Sequence, residues 1–293
     1  MLPPPMRDKI EARLCSKVVS AATATGGFTP GFAAVLTCAD GSRHFVKAAS
    51  NVAQKIFADS YREEIRKLGA LPAAVPAARL LWSLDEDWVA LELEYVDGRL
   101  PSRPWKPADL EACLDTLETV ATVLTPPPAG LELDTFAEEF GPFLTGWDYV
   151  RSALPDLPHL AEAAALAARF GELGGSTLVH TDIRDDNLLI TDTGRVSICD
   201  WNWPVVGAGW IDTVCLLIQA YGDGHDADAI LASRPLTRKV DGDLIDVLLA
   251  LLAGFFFRQR DEPGPNSSPY LRMHQNWYAE ATWAWLAERR GWA

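Results

Sequence analysis

The sequence lacks a hydrophobic run long enough to cross a membrane. Its longest apolar stretch, residues 247–257, is well short of the roughly 20 residues that a membrane-spanning helix needs. The first stretch, MLPPPMRDKIEARL, also lacks the apolar core of a secretory signal. These two absences predict a cytoplasmic protein in which residues 247–257 form a buried helix.

Cysteine and positive charge are both scarce. The five cysteines are an odd number, lie far apart and form no C-x-x-C pair, which favours reduced thiols over a disulfide scaffold or a zinc site. The 40 acidic residues outnumber the 26 Lys and Arg residues, and the formal net charge is -14. Such a chain would repel nucleic-acid phosphates, so no nucleic-acid partner is expected. The charge is compatible with a cationic small molecule and equally with a role in solubility alone.

The composition is globular, and the pattern of residues divides the chain into two parts. From about residue 18 to 96 the text is strand-like, with an Asp-Gly hairpin signal at residues 40–41 and one helix in DSYREEIRKLGAL. From Pro107 onward it is helical, with helices expected at about 107–124, 159–173, 213–221, 241–260 and 269–290. We therefore predict an α+β fold with domains at 1–96 and 97–293.

The strongest pattern is LVHTDIRDDNLLITDTGRVSICDWN, residues 178–202. Two short apolar strands flank a TDTG turn, with Asp182 and Asn187 before the first strand and Asp200 after the second. Carboxylates beside apolar strands are costly unless they are paired, hydrogen-bonded or bound to metal. The hairpin brings Asn187 and Asp200 to adjacent chain ends, where their hard oxygens could share a divalent cation. A further carboxylate, Asp182, could orient a hydroxyl and take its proton, which indicates phosphoryl transfer.

Three weaker signals precede this hairpin. The glycine-rich turn GGFTPGF, residues 26–32, would let backbone N–H groups approach a phosphate, although such a turn alone is more often only a turn. It opens a strand and has no Walker A sequence, so neither a P-loop nor a Rossmann site is expected. Lys47 in FVKA follows this turn at a distance that would let it reach phosphates, although a single lysine on a strand usually faces solvent. On the helix, Glu64 and Glu63 compete for one functional role. Glu64 is preferred because Leu68 and Leu71, four and seven residues further on, place it on the helix face that carries the apolar stripe.

Taken in order, these parts resemble the aminoglycoside phosphotransferase family, in the small-molecule kinase branch of the protein kinase-like superfamily. The resemblance covers nearly the whole chain and is carried by GGFTPGF, FVKA, Glu64, ELEYVDG, HTDIRDDN and ICDW. It implies a bilobal protein kinase-like fold, with a small antiparallel-sheet N-lobe carrying one main helix and a larger, mostly helical C-lobe.

The resemblance also implies roles for individual residues. Asp182 would be the catalytic aspartate, with Arg184 as a phosphate contact, and Asn187 and Asp200 would bind Mg²⁺. Lys47 would contact phosphate and pair with Glu64. The donor would be ATP, with GTP left open, and its binding residues would be Gly26, Gly27, Phe28, Thr29, Gly31, Lys47, Glu64, Glu94, Tyr95 and Val96. His180 would be structural, and Asp212 would cap a helix and brace the catalytic loop.

Two departures from the family pattern bear on function. Thr181 stands where many members have Gly. Asn202 stands where many have Glu, so the question of whether a second metal or an acceptor contact occurs there stays open. We carry two hypotheses. The first is an ATP-dependent kinase acting on a hydroxyl of a small molecule, with cationic acceptors among the candidates. The second is a non-catalytic, nucleotide-binding pseudokinase with a regulatory role, which the intact Lys47, Asp182 and metal ligands disfavour.

The acceptor pocket is the least specified part. Two acidic segments are candidates, although each is more commonly a solvated surface. The first segment, FAEEFGPFLTGWDYV, combines acids with rings that could stack on a sugar or a cation, and the second, YGDGHDAD, is acidic. The residues concerned are Glu138, Glu139, Trp147, Asp148 and Tyr149 in the first segment, and Asp223, Asp226 and Asp228 in the second.

Overall fold

The computed structural model describes residues 2–23, 31–263 and 271–292. In this part of the chain the strands are β1 (Val18–Thr23), β2 (Phe32–Cys38), β3 (Arg43–Ser50), β4 (Leu80–Asp85), β5 (Trp88–Leu93), β6 (Gly98–Arg99), β7 (Thr177–Val179), β8 (Leu188–Thr191), β9 (Val196–Ile198) and β10 (Val205–Gly207). The helices are α1 (Pro4–Leu14), α2 (Lys55–Ala70), α3 (Pro107–Val123), α4 (Phe136–Phe140), α5 (Thr145–Ala153), α6 (Leu160–Ala167), α7 (Ile211–Gly222), α8 (Ala227–Ser233), α9 (Gly242–Asp261) and α10 (Leu271–Arg290).

These elements form two compact units. Unit 1 comprises Met1–Leu100 and Asp186–Asn202, and unit 2 comprises Pro101–Asp185 and Trp203–Ala293. Unit 1 carries an antiparallel sheet of order β1-β2-β3-β5-β4, and unit 2 is mostly helical. The predicted α+β class, with a sheet-rich N-terminal part and a helical C-terminal part, is therefore confirmed.

The sheet of unit 1 begins with the hairpin that the sequence predicts. At the β2–β3 turn Gly41 has φ 85°, and the Asp40 carboxylate accepts hydrogen bonds from the backbone N–H and the hydroxyl of Ser42. The predicted main helix is α2, which buries Ala58, Tyr61, Glu64 and Leu68. An additional helix, α1, was not predicted; it packs Met6, Ile10 and Leu14 into the core of the sheet.

The β8–β9 hairpin belongs to unit 1, although the prediction assigned it to the C-terminal domain. Strand β6 pairs with β8, and the Ile198 N–H donates to the carbonyl of Pro76 at 2.8 Å. Because β6 is only two residues long, no alternation of residue types could reveal this pairing. The compact units therefore divide the chain differently from the predicted boundary at residue 96.

Unit 2 is built around two long helices, α9 and α10. Residues 247–257 lie in α9 and are mostly buried, as predicted, because neighbouring helices cover most of its circumference. No helix in residues 2–23, 31–263 or 271–292 is long and apolar enough to cross a membrane.

Helices α5 and α9 cross at very short range through two glycines. A Cβ atom on Gly146 would lie 2.2 Å from the carbonyl oxygen of Gly254, and a Cβ on Gly254 would lie 2.6 Å from Trp147 Nε1. The Trp147 indole fills this crossing, and its Nε1 donates to the carbonyl of Ala250 at 3.0 Å. The close approach fixes the position of α5 on α9.

Gly146→Ala should therefore destabilise the protein. The added methyl group meets backbone that cannot move aside cheaply, so we expect a cost of about 1–3 kcal/mol, which lowers Tm by roughly 2–4 °C for each kcal/mol. Thermal unfolding checks this. The matched control is Gly171→Ala, whose Cβ would meet no atom within 4 Å. Equal melting temperatures for the two variants would contradict the close crossing.

Candidate active site

A buried ion network forms the centre of unit 1. Lys47 on β3 donates from Nζ to Glu64 Oε1 and Oε2 at 2.8 and 2.9 Å and to Asp200 Oδ1 at 3.0 Å. Glu64 lies on the buried face of α2 and is fully inaccessible to solvent, whereas Asp200 follows β9 and remains partly exposed. Three separate stretches of sequence thus meet at one ammonium group. The Lys47–Glu64 pair that the resemblance implies is present.

The electrostatics of this network keep Lys47 charged. Burial alone would lower the pKa of Lys47, but the carboxylates of Glu64 and Asp200 outweigh burial and hold the pKa well above its usual value. Burial also raises the pKa of the neighbouring Cys199 thiol to about 12, so this cysteine is an inert thiol. A permanent cation next to a partly exposed carboxylate is an arrangement that can receive a phosphate and its metal.

Asn187 and Asp200 lie at the same end of the β8–β9 hairpin. The Cys199 N–H donates to the carbonyl of Asn187 at 2.8 Å, and the pairing of Leu188 with Ile198 fixes the register. In the described ranges no group of three or more His, Cys, Asp or Glu side chains could hold a metal. One amide and one carboxylate oxygen nevertheless fit Mg²⁺, which keeps several waters and takes the rest of its ligands from substrate phosphates.

The loop that carries Asp182 is held by backbone hydrogen bonds within unit 2. The Asp212 carboxylate accepts from the N–H groups of His180 and Thr181 at 2.7 and 2.8 Å. Thr181 takes a left-handed φ of 68°, a conformation that favours glycine. Asp212 thus braces the loop as expected, but it does not cap α7, because Trp210 is the N-cap and Asp212 lies in the first turn.

The side chains of this loop interact with one another. Arg184 Nη1 donates to Asp182 Oδ1 at 2.6 Å, and the Asp182 N–H donates to His180 Nδ1 at 3.2 Å. His180 is fully buried, in agreement with the structural role expected for it. The loop therefore presents one carboxylate and one guanidinium in a fixed backbone frame.

The segment after β5 is described completely, whereas the glycine-rich turn is described only in part. The Glu94 N–H donates to the carbonyl of Arg79 at 2.8 Å, and the Tyr95 hydroxyl accepts from Arg43 Nη1 at 2.9 Å. Gly26, Gly27, Phe28 and Thr29 lie outside the described residues. Gly31 is described, and a Cβ there would lie 2.2 Å from the Tyr61 hydroxyl, so a larger residue would require the Tyr61 side chain on α2 to shift.

The first predicted acceptor segment has structural roles. Trp147 was expected to be available for stacking, but it is 2% exposed because it fills the α5–α9 crossing, so this prediction is wrong. Glu138 forms a capping box with Thr135, Asp148 pairs with Arg151, and the Tyr149 hydroxyl donates to Asp261. Glu138, Asp148 and Tyr149 are therefore engaged by local capping and pairing within unit 2.

The acids of the second segment are also engaged within unit 2. Asp223 accepts two hydrogen bonds from Arg103, at 2.7 and 2.9 Å, and one from the backbone of Trp105. Asp226 is the N-cap of α8, and Asp228 accepts from Trp285 Nε1 and Arg289. The partners of Asp223 and Asp228 lie far away in sequence, which is why composition alone could not reveal these roles.

Sequence reasoning did not single out Trp203, which lies near the loop that carries Asp182. Trp203 is 54% exposed, and it is the exposed one among the eleven tryptophans, all of which the structure describes. Its carbonyl accepts a hydrogen bond from the Thr181 hydroxyl at 2.8 Å. This bond ties the backbone of Trp203 to the residue that directly precedes Asp182. Exposure was the missing signal, and a sequence does not report it.

Comparison with known proteins identifies the family. Residues 40–242 match the phosphotransferase enzyme family, so the chain belongs to that family and to its class of enzymes. A search of the curated proteins found no match to the chain.

Solved structures of the same fold are similar over nearly their whole length, at low sequence identity. An aminoglycoside phosphotransferase from Alicyclobacillus acidocaldarius is 18% identical, with a TM-score of 0.57 and coverage of 94% of this chain and 92% of the other. A choline kinase from Streptococcus pneumoniae is 14% identical, with a TM-score of 0.61 and coverage of 97% and 98%. A spectinomycin phosphotransferase in complex with ADP and spectinomycin is 11% identical, with a TM-score of 0.60 and coverage of 99% of both chains.

The brace formed by Asp212 predicts a specific dependence of stability on pH. Burial raises the pKa of this carboxyl from 3.8 to about 6, against the opposing effect of the two N–H groups. The folded chain therefore binds more protons than the unfolded chain between these values, and the stability that Asp212 contributes is lost as pH rises through about 6.

Asp212→Asn cannot ionise, so it isolates this effect. We expect the unfolding free energy of the wild type minus that of Asp212→Asn to be larger at pH 4 than at pH 7. Urea unfolding of both proteins across this range measures the difference. A difference that grows with pH would show that the ionised form of Asp212 is the more stable one in the fold.

Proposed function

We propose that this chain transfers the γ-phosphoryl group of a Mg–nucleotide to a hydroxyl of a small molecule. The observation that carries the proposal is the buried Lys47–Glu64–Asp200 network beside Asn187, in a member of the phosphotransferase enzyme family. A buried cation, a partly exposed carboxylate and an amide oxygen are the groups that phosphates and their metal require. Packing alone would not need Lys47 on the central strand.

Each group has a proposed role. Lys47 would contact the phosphates of the nucleotide, held in place by Glu64, and Asn187 and Asp200 would be ligands of Mg²⁺. The bound Mg²⁺ would neutralise the charge of the phosphate oxygens. Asp182 would orient the acceptor hydroxyl and accept its proton, and Arg184 would contact phosphate.

The nucleotide is proposed to bind through backbone and loop contacts. The Glu94 N–H is engaged by Arg79, so the adenine edge would be recognised by the remaining backbone groups of Glu94, Tyr95 and Val96. Gly26, Gly27, Phe28, Thr29 and Gly31 would lie over the phosphates. The ADP complex of the similar spectinomycin phosphotransferase supports an adenine nucleotide, with GTP left open.

The pseudokinase alternative is not favoured. A protein that only binds a nucleotide has no need for a proton acceptor in the catalytic loop. This chain keeps Asp182 in a loop whose backbone is braced by Asp212, together with both metal ligands. Membership of an enzyme family argues in the same direction.

We further propose that Trp203 contacts the acceptor. The Thr181 hydroxyl holds the backbone of Trp203 next to the catalytic loop, and Trp203 is 54% exposed to solvent. An indole face can stack on a sugar ring or a cation, and an exposed Trp costs hydration free energy that ligand contact would recover. The exposed Trp203 therefore replaces the two acidic segments as the proposed basis of acceptor recognition.

The experiment that tests the function is an ADP-release assay. Purified protein with ATP and Mg²⁺ is screened against aminoglycosides, macrolides, choline and other small alcohols, with product confirmed by mass spectrometry. We expect Mg²⁺-dependent turnover with one acceptor class. Asp182→Asn and Asp200→Asn should each lose at least about 10²-fold in kcat, since each removes a group used in transfer.

The matched control is Asp192→Asn, the same exchange at the exposed turn of the β8–β9 hairpin. It should retain wild-type turnover. Near-normal activity of folded Asp200→Asn or Asp182→Asn would overturn the assignment of these residues.

Trp203→Ala should raise the KM for the acceptor about three- to tenfold, the loss expected for one stacking contact. The KM for ATP should stay unchanged, and Trp203→Phe should restore most of the acceptor affinity because it retains a ring. Steady-state kinetics with each substrate varied in turn measures this split. An equal change in both KM values would mean that Trp203 acts on the fold and not on the acceptor.

A further inference from the structure

We infer that Asn202 is a positioning residue. Helix α2 anchors it, and it in turn holds the Asp200 carboxylate. The contacts do not depend on the proposed function, but the catalytic meaning of the inference rests on it. The family pattern offered Asn202 only as a missing acid. The structure assigns it a positive role, because it supplies a neutral hydrogen-bond donor to Asp200, where an acid would instead place a second carboxylate.

Every polar group of Asn202 is engaged within unit 1. Its Nδ2 donates to Asp200 Oδ1 at 2.5 Å, the oxygen that also accepts from Lys47. Its Oδ1 accepts from the Ser60 hydroxyl at 3.3 Å, which fixes the orientation of the amide. Its carbonyl accepts from Lys67 Nζ at 2.6 Å, and its own N–H donates to the carbonyl of Asp200 at 2.9 Å.

One face of α2 supplies these contacts. Ser60, Glu64 and Lys67 are spaced i, i+4 and i+7, so they lie in a row along the helix. Glu64 binds Lys47, while Ser60 and Lys67 bind Asn202. The same face of α2 therefore positions both members of the Lys47–Asp200 ion pair: Lys47 through Glu64, and Asp200 through Asn202.

This support matters because Asp200 has an unfavourable backbone conformation. Its φ is 62°, in the left-handed region that non-glycine residues rarely adopt. Such a conformation persists when surrounding contacts determine it. The bonds of Asn202 to the backbone and side chain of Asp200, and of Lys67 to Asn202, are contacts of this kind.

Charge explains why the amide of Asn202 can orient the Asp200 carboxylate without a metal. A carboxylate in place of the amide would put a second negative charge at hydrogen-bond distance from Asp200, and the two would repel unless a cation lay between them. The amide instead donates a hydrogen bond, so the Asp200 carboxylate is already oriented before nucleotide and metal arrive. Asn202 thus removes the need for a second cation at this position.

The test is the thermal unfolding of two variants of similar shape, without nucleotide, in a chelator and in millimolar Mn²⁺. Asn202→Leu removes the donor, so we expect Tm to fall by about 2–4 °C in both solutions. Asn202→Asp creates the carboxylate pair, so we expect a larger fall in the chelator that Mn²⁺ largely reverses. The wild type should respond to Mn²⁺ much less than Asn202→Asp does.

Two results would overturn the inference. One is wild-type stability of both variants in the chelator, and the other is a Mn²⁺ response of Asn202→Asp no larger than that of the wild type. The matched control is Asn51→Asp, the same exchange beside Asp85 where Arg62 also binds. Its Mn²⁺ response should equal that of the wild type.

The readout is separate from catalysis. If Asn202→Leu does not fold, Asn202→Asp prepared in Mn²⁺ and then moved into chelator decides the same question. A wild type that shows no phosphoryl transfer would overturn the proposed function, while these melting temperatures would still establish or reject the role of Asn202 in holding Asp200.

Discussion

The ammonium group of Lys47 between the carboxylates of Glu64 and Asp200 is the interaction on which unit 1 depends. Glu64 is completely buried, and an unpaired buried carboxylate would cost roughly 3–5 kcal/mol. Pairing with Lys47 removes this cost and joins β3, α2 and the end of the β8–β9 hairpin at one point. The remaining contacts of the α2 face, from Ser60 and Lys67 to Asn202, extend the same junction. Structure and proposed chemistry therefore use the same three charges.

Much of the fold and part of the site could be predicted from sequence because they follow from local patterns. The Asp-Gly hairpin, the β8–β9 hairpin, α2 and the buried helix α9 each have a periodicity or turn signal within a few residues. The pairing of β6 with β8 had no such signal, because it joins two short segments about 90 residues apart. The roles of Asp223 and Asp228 could not be predicted for the same reason, since their partners Arg103 and Arg289 are distant in sequence. Burial was the other missing quantity: it separates Trp147, which fills a helix crossing, from Trp203, which faces solvent.

The structure also assigns structural roles to several of the acids that contribute to the net charge of -14. Acids that resembled a cation-binding surface are helix caps and partners of arginines: Glu138 and Asp226 cap helices, and Asp223 holds Arg103. A helix N-terminus or an arginine next to such a carboxylate offsets part of its attraction for a cationic ligand. Under the proposed function, the exposed Trp203 beside the loop of Asp182 would contact the acceptor, so the candidate acceptors would include neutral, ring-containing alcohols.

The most direct test of the central claim is a double-mutant cycle on Lys47 and Glu64, measured as kcat for phosphoryl transfer with the acceptor found by screening. If Glu64 acts only by holding Lys47, then Lys47→Met with Glu64→Gln should be no slower than Lys47→Met alone, because the two residues act as a unit. Losses that multiply, so that the double variant is slower by the product of the two single effects, would contradict the account.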